Sequence, residues 1–151
     1  MFDTNVIGAH VLTAQVATLL LKSSSPRVLF VTSDLGSLSK TLEPEYGPNR
    51  PIQAGWPKYW KDDWPGYRAS KAAMNMLMRQ WARFFEKDGV RVWAVNPGFC
   101  QTYLAGRGPE ALKAMGAKDP AIAADFFRSV VEGERDADAG QYIELEGRIE
   151  W

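Results

Sequence analysis

Tyr67 and Lys71 stand four residues apart in the stretch PGYRASKAAMNMLMRQWARFFEKDGV, residues 65–90. On a helix that spacing puts both side chains on one face, one turn from each other. A free phenol has a pKa of about 10 and is a poor acid or base near neutrality. An ammonium held beside it favours the phenolate and draws that pKa down toward the working range. The pair therefore has the makings of a proton-transfer device. The plain alternative is a packed ring beside a solvated charge, which any YxxxK pattern could be. Ser33 adds weight to the first reading. It closes RVLFVTS, and the carboxyl end of such a strand is where α/β folds place their ligands.

The elements that must position these groups follow from periodicity. In the stretch after Tyr67, Ala69, Ala72, Ala73, Met76, Leu77, Trp81, Phe84 and Phe85 recur at helical spacing, with Pro65 and Gly66 before the run and Asp88 and Gly89 ending it. Residues 2–22 read as a second helix, capped by Asp3 or Thr4, with an apolar face of Val6, Ile7, Val11, Leu12, Val16, Leu19 and Leu20. A turn at Ser23–Pro26 leads into the β-branched run RVLFVTS, the pattern of a buried parallel strand. VRVWAVNPG is a second strand closing on Asn96, Pro97 and Gly98. A short helix at Pro109–Met115 follows. A longer one runs from Pro120 to about Glu132 with Asp119 as its cap, and Tyr142–Leu145 is a third strand. Helix and strand alternate, which argues an α/β domain with an open parallel sheet covered by helices.

Between Leu38 and Trp64 the pattern dissolves. Pro44, Pro48, Pro51 and Pro57, with Gly47 and Gly55, forbid long regular elements there. Trp56, Trp60 and Trp64 are spaced by four, and Pro57 suits a first helical position, so a short helix presenting three indoles on one side is expected. Such a feature is either a substrate lid or an aromatic plug on the domain's own core.

Composition narrows the class. At 151 residues the chain is one domain by length, with no internal repeat and no linker. Lys+Arg and Asp+Glu balance at 18 each, so nothing suggests nucleic acid or another polyanion as partner. Six tryptophans place some rings in a pocket or interface rather than in the core alone. Cys100 is the sole cysteine, which excludes an internal disulfide and fits a reducing compartment. It reads as a neutral thiol lining a pocket rather than a reactive one. No Cys/His cluster has metal-ligand spacing. The apolar stretch Val16–Leu21 is too short to span a bilayer, and no signal-peptide pattern opens the sequence, so a cytoplasmic protein without a membrane partner is expected.

Several separate motifs, in the right order, resemble the short-chain dehydrogenase/reductase family. YRASK matches its YxxxK; TSDLG places Ser33 three residues before Gly36, as in its SSxxG pattern; NPGFCQT matches its PGxxxT; and TNVIG places Asn5 where the family carries a helix asparagine. The resemblance implies a Rossmann-like sheet with flanking helices, limited to the C-terminal catalytic half of that fold. The family's glycine-rich phosphate turn, its NNAG-type strand and the residue that selects NAD or NADP have no counterpart here. The interval from Ser33 to Tyr67 is also long for the family, with the 38–64 insertion filling it.

By that resemblance the chain is an NAD(P)-dependent oxidoreductase interconverting a carbonyl and an alcohol, with NADP favoured over NAD and a small molecule as substrate. Tyr67 would be the general acid or base and would also contact the cofactor. Lys71 would lower its pKa and hold the nicotinamide ribose. Ser33 would hydrogen-bond the substrate oxygen, Asn5 would hold a water linking Lys71 to solvent, and Pro97, Gly98 and Thr102 would embrace the carboxamide. Helices 2–22 and 67–86 would pair in a homodimer through Leu20, Met74, Met78 and Trp81. A second reading is a non-catalytic partner or dimerising module of the same descent. A serine hydrolase built on Ser33, Asp34 and His10 is the weakest, because no GxSxG elbow surrounds Ser33 and His10 lies mid-helix.

Overall fold

The strand Arg91–Val95 (β2) is buried along most of its length, and its two faces define two separate cores. Val92 and Ala94 turn to one side, where they join Phe30, Met78, Trp81, Phe85 and Tyr142. Trp93 and Val95 turn to the other and join Phe126, Val130 and Ile143. A strand covered on both faces needs this unbroken apolar run. Arg27–Val31 (β1) pairs parallel to β2 with Phe30 opposite Ala94, and Tyr142–Glu144 (β3) pairs parallel on its far side.

The computed structural model describes residues 1–49, 51–58 and 64–151. Helix Ala9–Leu20 (α1), preceded by a π-helical turn at Asp3–Gly8, and helix Pro65–Phe84 (α2) cover the first core. After a short helix Pro109–Ala114 (α3), helix Pro120–Glu132 (α4) covers the second. The result is helix, sheet, helix: the expected α/β layering. Asp119 caps α4 as anticipated, its carboxylate accepting the Ala121 N–H at 2.8 Å.

Several expectations need correction. A two-residue strand, Gly147–Arg148 (β4), folds back antiparallel on β3, so the sheet has four strands in the order β1-β2-β3-β4. The run is too short to leave a periodic signal. Neither Asp3 nor Thr4 caps the first helix, because Phe2 is already helical there. Its apolar face is mostly open: Ile7, Val11, Leu12 and Leu19 are exposed, and Thr13 is its one buried residue among those described.

On α2 the buried stripe is rotated from the one that apolar spacing suggests. Ser70, Lys71, Met74, Asn75, Met78 and Trp81 are buried, whereas Ala69, Met76 and Phe84 are exposed. Polar groups turn inward because backbone receives them: Asn75 Nδ2 donates to the Gly36 carbonyl at 3.3 Å, and Lys71 Nζ to that of Val31. Met74, Met78 and Trp81, expected at a dimer surface, belong to the chain's own core.

Pro57 and Lys58 are not helical, and most of the helix expected from Pro57 lies outside the described residues. Trp56 and Pro57 form a bend joined by a cis peptide, and α2 begins at Pro65. Trp60 lies outside the described residues. Trp56 and Trp64 are exposed, so neither plugs the core. No helix among the described residues is long and apolar enough to cross a membrane.

Candidate active site

Ser33 follows β1 in extended conformation and caps the turn Asp34–Gly36, its Oγ accepting the Leu35 N–H at 3.3 Å. Gly36 decides where this turn sits. A Cβ there would lie 2.7 Å from both the carbonyl carbon and the Cβ of Lys71, and 2.9 Å from the Ala72 nitrogen. Real Cβ contacts are never so short, so only glycine lets the Ser33 turn rest directly on α2 at Lys71. The carboxyl end of β1 and the first turns of α2 are thereby brought into one site.

Tyr67 stands in the first turn of α2, half-buried. Burial raises its pKa above the ordinary phenol value of 10, the Ser33 hydroxyl pulls it down, and the Asp34 carboxylate pushes it up again. The net direction is upward, so the phenol holds its proton through the neutral range. This corrects the expectation that Lys71 draws the Tyr67 pKa down. The Lys71 ammonium lies 5.6 Å from the centre of the Tyr67 ring, and it donates instead to the Val31 carbonyl at 2.9 Å. Thr32 N–H bonds to Val95 on β2, so the backbone groups of Val31 face the opposite, outer edge of the sheet. A carbonyl without a strand partner is a strong acceptor for a buried cation. Burial lowers the pKa of Lys71 itself.

Asn5 reaches the same place from the π-helical turn. Its Nδ2 donates to Ser70 Oγ at 3.0 Å, and Ser70 Oγ donates to the Tyr67 carbonyl at 2.8 Å. Asn5 is thus tied to the residue before Lys71. The loop after β2 opens at the same end of the sheet. Asn96 Oδ1 accepts the Gly98 N–H at 3.1 Å, and Gly98 takes a φ of 75° with open space around its α-carbon. Thr102 Oγ1 accepts the Leu104 N–H at 3.2 Å. Among the described residues no hydrogen bond joins Pro97, Gly98 or Thr102 to Ser33, Tyr67 or Lys71. Burial pushes the Cys100 thiol up, which keeps it neutral as expected. His10 faces the Trp81 ring, 5.5 Å between centres, in the contact between α1 and α2.

Sequence reasoning missed a second ring of polar groups. Tyr46 is half-buried with Lys40 Nζ 5.5 Å from its ring centre, and burial, with the Asp34 carboxylate adding to it, pushes its pKa up. Lys40 Nζ lies 4.0 Å from Asp34 Oδ2 and 3.9 Å from Glu144 Oε1, and Asn96 Nδ2 donates to Glu144 Oε2 at 2.9 Å. Asp34 was findable as the carboxylate next to Ser33. Tyr46 sits in an aperiodic segment that gives no such signal. A groove of ≈ 870 Å³ runs between α2 and the start of β2, bounded by Asn75, Met76, Arg79, Arg83 and Trp151. It includes neither Ser33 nor Tyr67, so the proton-transfer chemistry does not lie there.

The donor set fits one end of a nicotinamide dinucleotide. Lys71 has three N–H donors and spends one on Val31, leaving two for a sugar diol beside the Tyr67 and Ser33 hydroxyls. The glycine-rich turn that cradles phosphates is not in this sequence.

Fold and site together define a Rossmann-like parallel α/β protein with a Ser/Tyr/Lys constellation at the carboxyl ends of its strands. The family profile described as short chain dehydrogenase matches residues 56–112. The chain is 38% identical over 154 residues to the short-chain dehydrogenase/reductase tropE of Talaromyces stipitatus, covering 99% of this chain and 56% of that protein. It is 37% identical over 142 residues to the short-chain dehydrogenase/reductase eupG of a Phoma species, covering 89% and 50% respectively. The chain belongs to the short-chain dehydrogenase/reductase family. It spans about half the length of these curated relatives. Among solved structures, the NADPH-bound carbonyl reductase from chicken fatty liver superimposes with a TM-score of 0.73 at 23% identity, covering 99% of this chain and 55% of that one. The carbonyl reductase Sniffer of D. melanogaster gives 0.69 at 16%, with the same coverage. At these identities the likeness speaks for the fold.

Proposed function

We propose that this chain carries the proton-transfer half of an NAD(P)-dependent oxidoreductase that interconverts a small-molecule carbonyl and its alcohol. The observation that carries the reading is the close packing of the Ser33 turn, through Gly36, onto α2 at Lys71, whose ammonium lies 5.6 Å from the Tyr67 ring, although Ser33 and Tyr67 are 34 positions apart in sequence. The bound dinucleotide supplies or accepts the hydride; the protein orients groups and moves a proton. In reduction Tyr67 gives its proton to the oxygen that becomes the alcohol, and Ser33 hydrogen-bonds that oxygen and aligns it with the phenol. In oxidation Tyr67 takes the proton back. Lys71 would hold the ribose hydroxyls, with Asn5 bracing its turn through Ser70, and Pro97, Gly98 and Thr102 would meet the carboxamide end. NADPH is favoured over NADH; the NADPH bound to the chicken carbonyl reductase supports this preference.

The test is a titration of the 151-residue chain with NADPH and NADH, followed by quenching of its tryptophan fluorescence. Saturable binding in the micromolar range, lost in Lys71→Ala, is the expected result. No binding up to millimolar concentration would sink the enzyme reading for this chain by itself.

A second reading, a dimerising or partner module, is favoured by one specific observation. Ile7, Val11, Leu12 and Leu19 on the first helix, with Met76 and Phe84 on α2, leave an apolar surface uncovered. Sedimentation equilibrium distinguishes the two: a dimer without dinucleotide affinity supports the module.

A further inference from the structure

Glu144 on β3 stands between the two ends of the site. Its Oε2 accepts from Asn96 Nδ2 at 2.9 Å, and its Oε1 lies 3.9 Å from Lys40 Nζ. Lys40 Nζ in turn lies 4.0 Å from Oδ2 of Asp34, the residue that follows Ser33. We propose that Glu144 is a positioning residue. It sets the side-chain amide of Asn96, and with it the loop at Gly98, and it ties that loop through Lys40 to the turn that carries Ser33. Its meaning for catalysis rests on the reading above, in which the Gly98 loop meets the dinucleotide and Ser33 meets the substrate oxygen.

The Asn96 amide has one oxygen that accepts and one nitrogen that donates, and turning it over exchanges them. A carboxylate only accepts, so Glu144 demands the Nδ2 end. Oδ1 is then the end left for the main chain, where it accepts the Gly98 N–H at 3.1 Å. The other orientation would set a carbonyl against a carboxylate and an amino group against an N–H. Such an error is costly here, because Asn96 is 2% exposed and water cannot replace a lost partner. The Asn96 backbone is fixed as well, its N–H donating to the carbonyl of Ile143, the neighbour of Glu144, at 2.8 Å.

The second oxygen of Glu144 reaches the other end of the site. Lys40 is held by its main chain on both sides: its N–H donates to Ser37 Oγ at 3.1 Å, and its carbonyl accepts from Asn49 Nδ2 at 2.7 Å. Ser37 is itself buried, and its hydroxyl donates to the Glu150 carbonyl at 2.7 Å. From that anchored backbone the ammonium bridges Asp34 and Glu144 beside the Tyr46 ring. All three charged side chains are less than a third exposed, so salt screens them less than it does a surface pair. Among the described residues no hydrogen bond joins the Gly98 loop to Ser33 itself. The series Gly98, Asn96, Glu144, Lys40, Asp34 joins it to the next residue. A Gly98 loop moved by a dinucleotide would thus be felt beside Ser33.

The experiment is ¹H–¹⁵N NMR of the 151-residue chain, with the Gly98 amide and the Asn96 side-chain amide assigned. Glu144→Ala is expected to shift both signals and to quicken exchange at the Gly98 amide roughly fivefold, the effect of losing one hydrogen bond. Glu144→Gln keeps an oxygen for Asn96 Nδ2, so it should return both signals close to their wild-type positions while losing the charge opposite Lys40. An unmoved Gly98 amide in a folded Glu144→Ala chain overturns the proposal. So does an equal disturbance in Glu144→Gln, which would mark a general structural role for the position. Should Glu144→Ala not fold, Glu144→Leu reads the same loss of an acceptor. Lys40→Met tests the tie to the Ser33 turn. It should shift the Gly98 amide when Glu144 is present and leave it still in the Glu144→Gln background. Equal shifts in the two backgrounds, or none in either, overturn that arm. No dinucleotide or substrate enters these measurements. Failure of NADPH to bind therefore counts against the oxidoreductase reading alone.

Discussion

The Lys71 ammonium donates to the Val31 carbonyl at 2.9 Å, on the edge of β1 that no described strand covers. It is a buried cation with a neutral acceptor, and no carboxylate contributes to its pKa. Its downward-shifted pKa states the consequence: the charged form is less welcome in the folded chain than in the unfolded one.

Replacing Lys71 with methionine should therefore raise stability, on the order of 1 kcal/mol, while removing dinucleotide affinity. The linkage has a definite sign. Between the lowered folded pKa and the ordinary value of 10.5 the unfolded chain binds more protons, so wild-type stability rises with pH across that window. In Lys71→Met this rise disappears. Urea unfolding at a series of pH values reads both effects, and a less stable methionine variant would contradict the account.

Tyr67→Phe keeps the half-buried ring and removes the proton. Turnover with NADPH and a carbonyl substrate should fall by roughly 10²–10⁴-fold, the usual contribution of a positioned acid or base. Dinucleotide binding should change little, because Lys71 remains. Equal losses in binding and turnover would point to a structural role for the phenol.

Gly36→Ala should be damaging out of proportion to one methyl group. The added carbon would stand 2.7 Å from the backbone of Lys71, and backbone cannot swing aside as a flexible side chain can. Overpacking of this kind costs roughly 1–3 kcal/mol. It should also shift the Ser33 turn on α2, so melting temperature and turnover should fall together. A wild-type melting temperature would refute the close packing.

Acid should weaken the chain through its arginine-paired carboxylates. Hydrogen bonding to Arg27 holds the Asp136 pKa below the ordinary 3.8, and Arg135 and Arg148 do the same for Asp138. Their contribution is fully present above the ordinary carboxylate value and is lost as pH falls through the lowered folded values. Asp136→Asn should be less stable than wild type at pH 7, and the gap should close at an acid pH below the lowered folded value. Urea midpoints at the two pH values measure it, and a gap that persists in acid would show that the pair is not its source.

Much of the fold was legible because burial leaves a period. β1, β2, β3, α3, α4 and its Asp119 cap stand within a residue or two of where apolar runs and capping chemistry put them. The site residues Ser33, Tyr67 and Lys71 were legible as a pattern of types and spacings, and the family they indicate is the one to which the chain belongs. The rotation of α2 was not. Apolar counting favours Ala69 and Met76 inward, yet Ser70, Lys71 and Asn75 are buried because distant groups meet them: the Val31 and Gly36 carbonyls accept from Lys71 and Asn75, and Asn5 Nδ2 donates to Ser70.

What the sequence by itself determined, then, is local: which segments are helix or strand, and which side chains bear protons worth moving. The proton balance of the site was decided only by tertiary structure. Lys71 is four residues from Tyr67 in sequence, but the Val31 carbonyl claims its ammonium, and the Tyr67 pKa answers to burial, Ser33 and Asp34. A pKa depends on distance and solvent exclusion among groups far apart in the chain, and these exist only once the turn at Gly36 has closed onto α2.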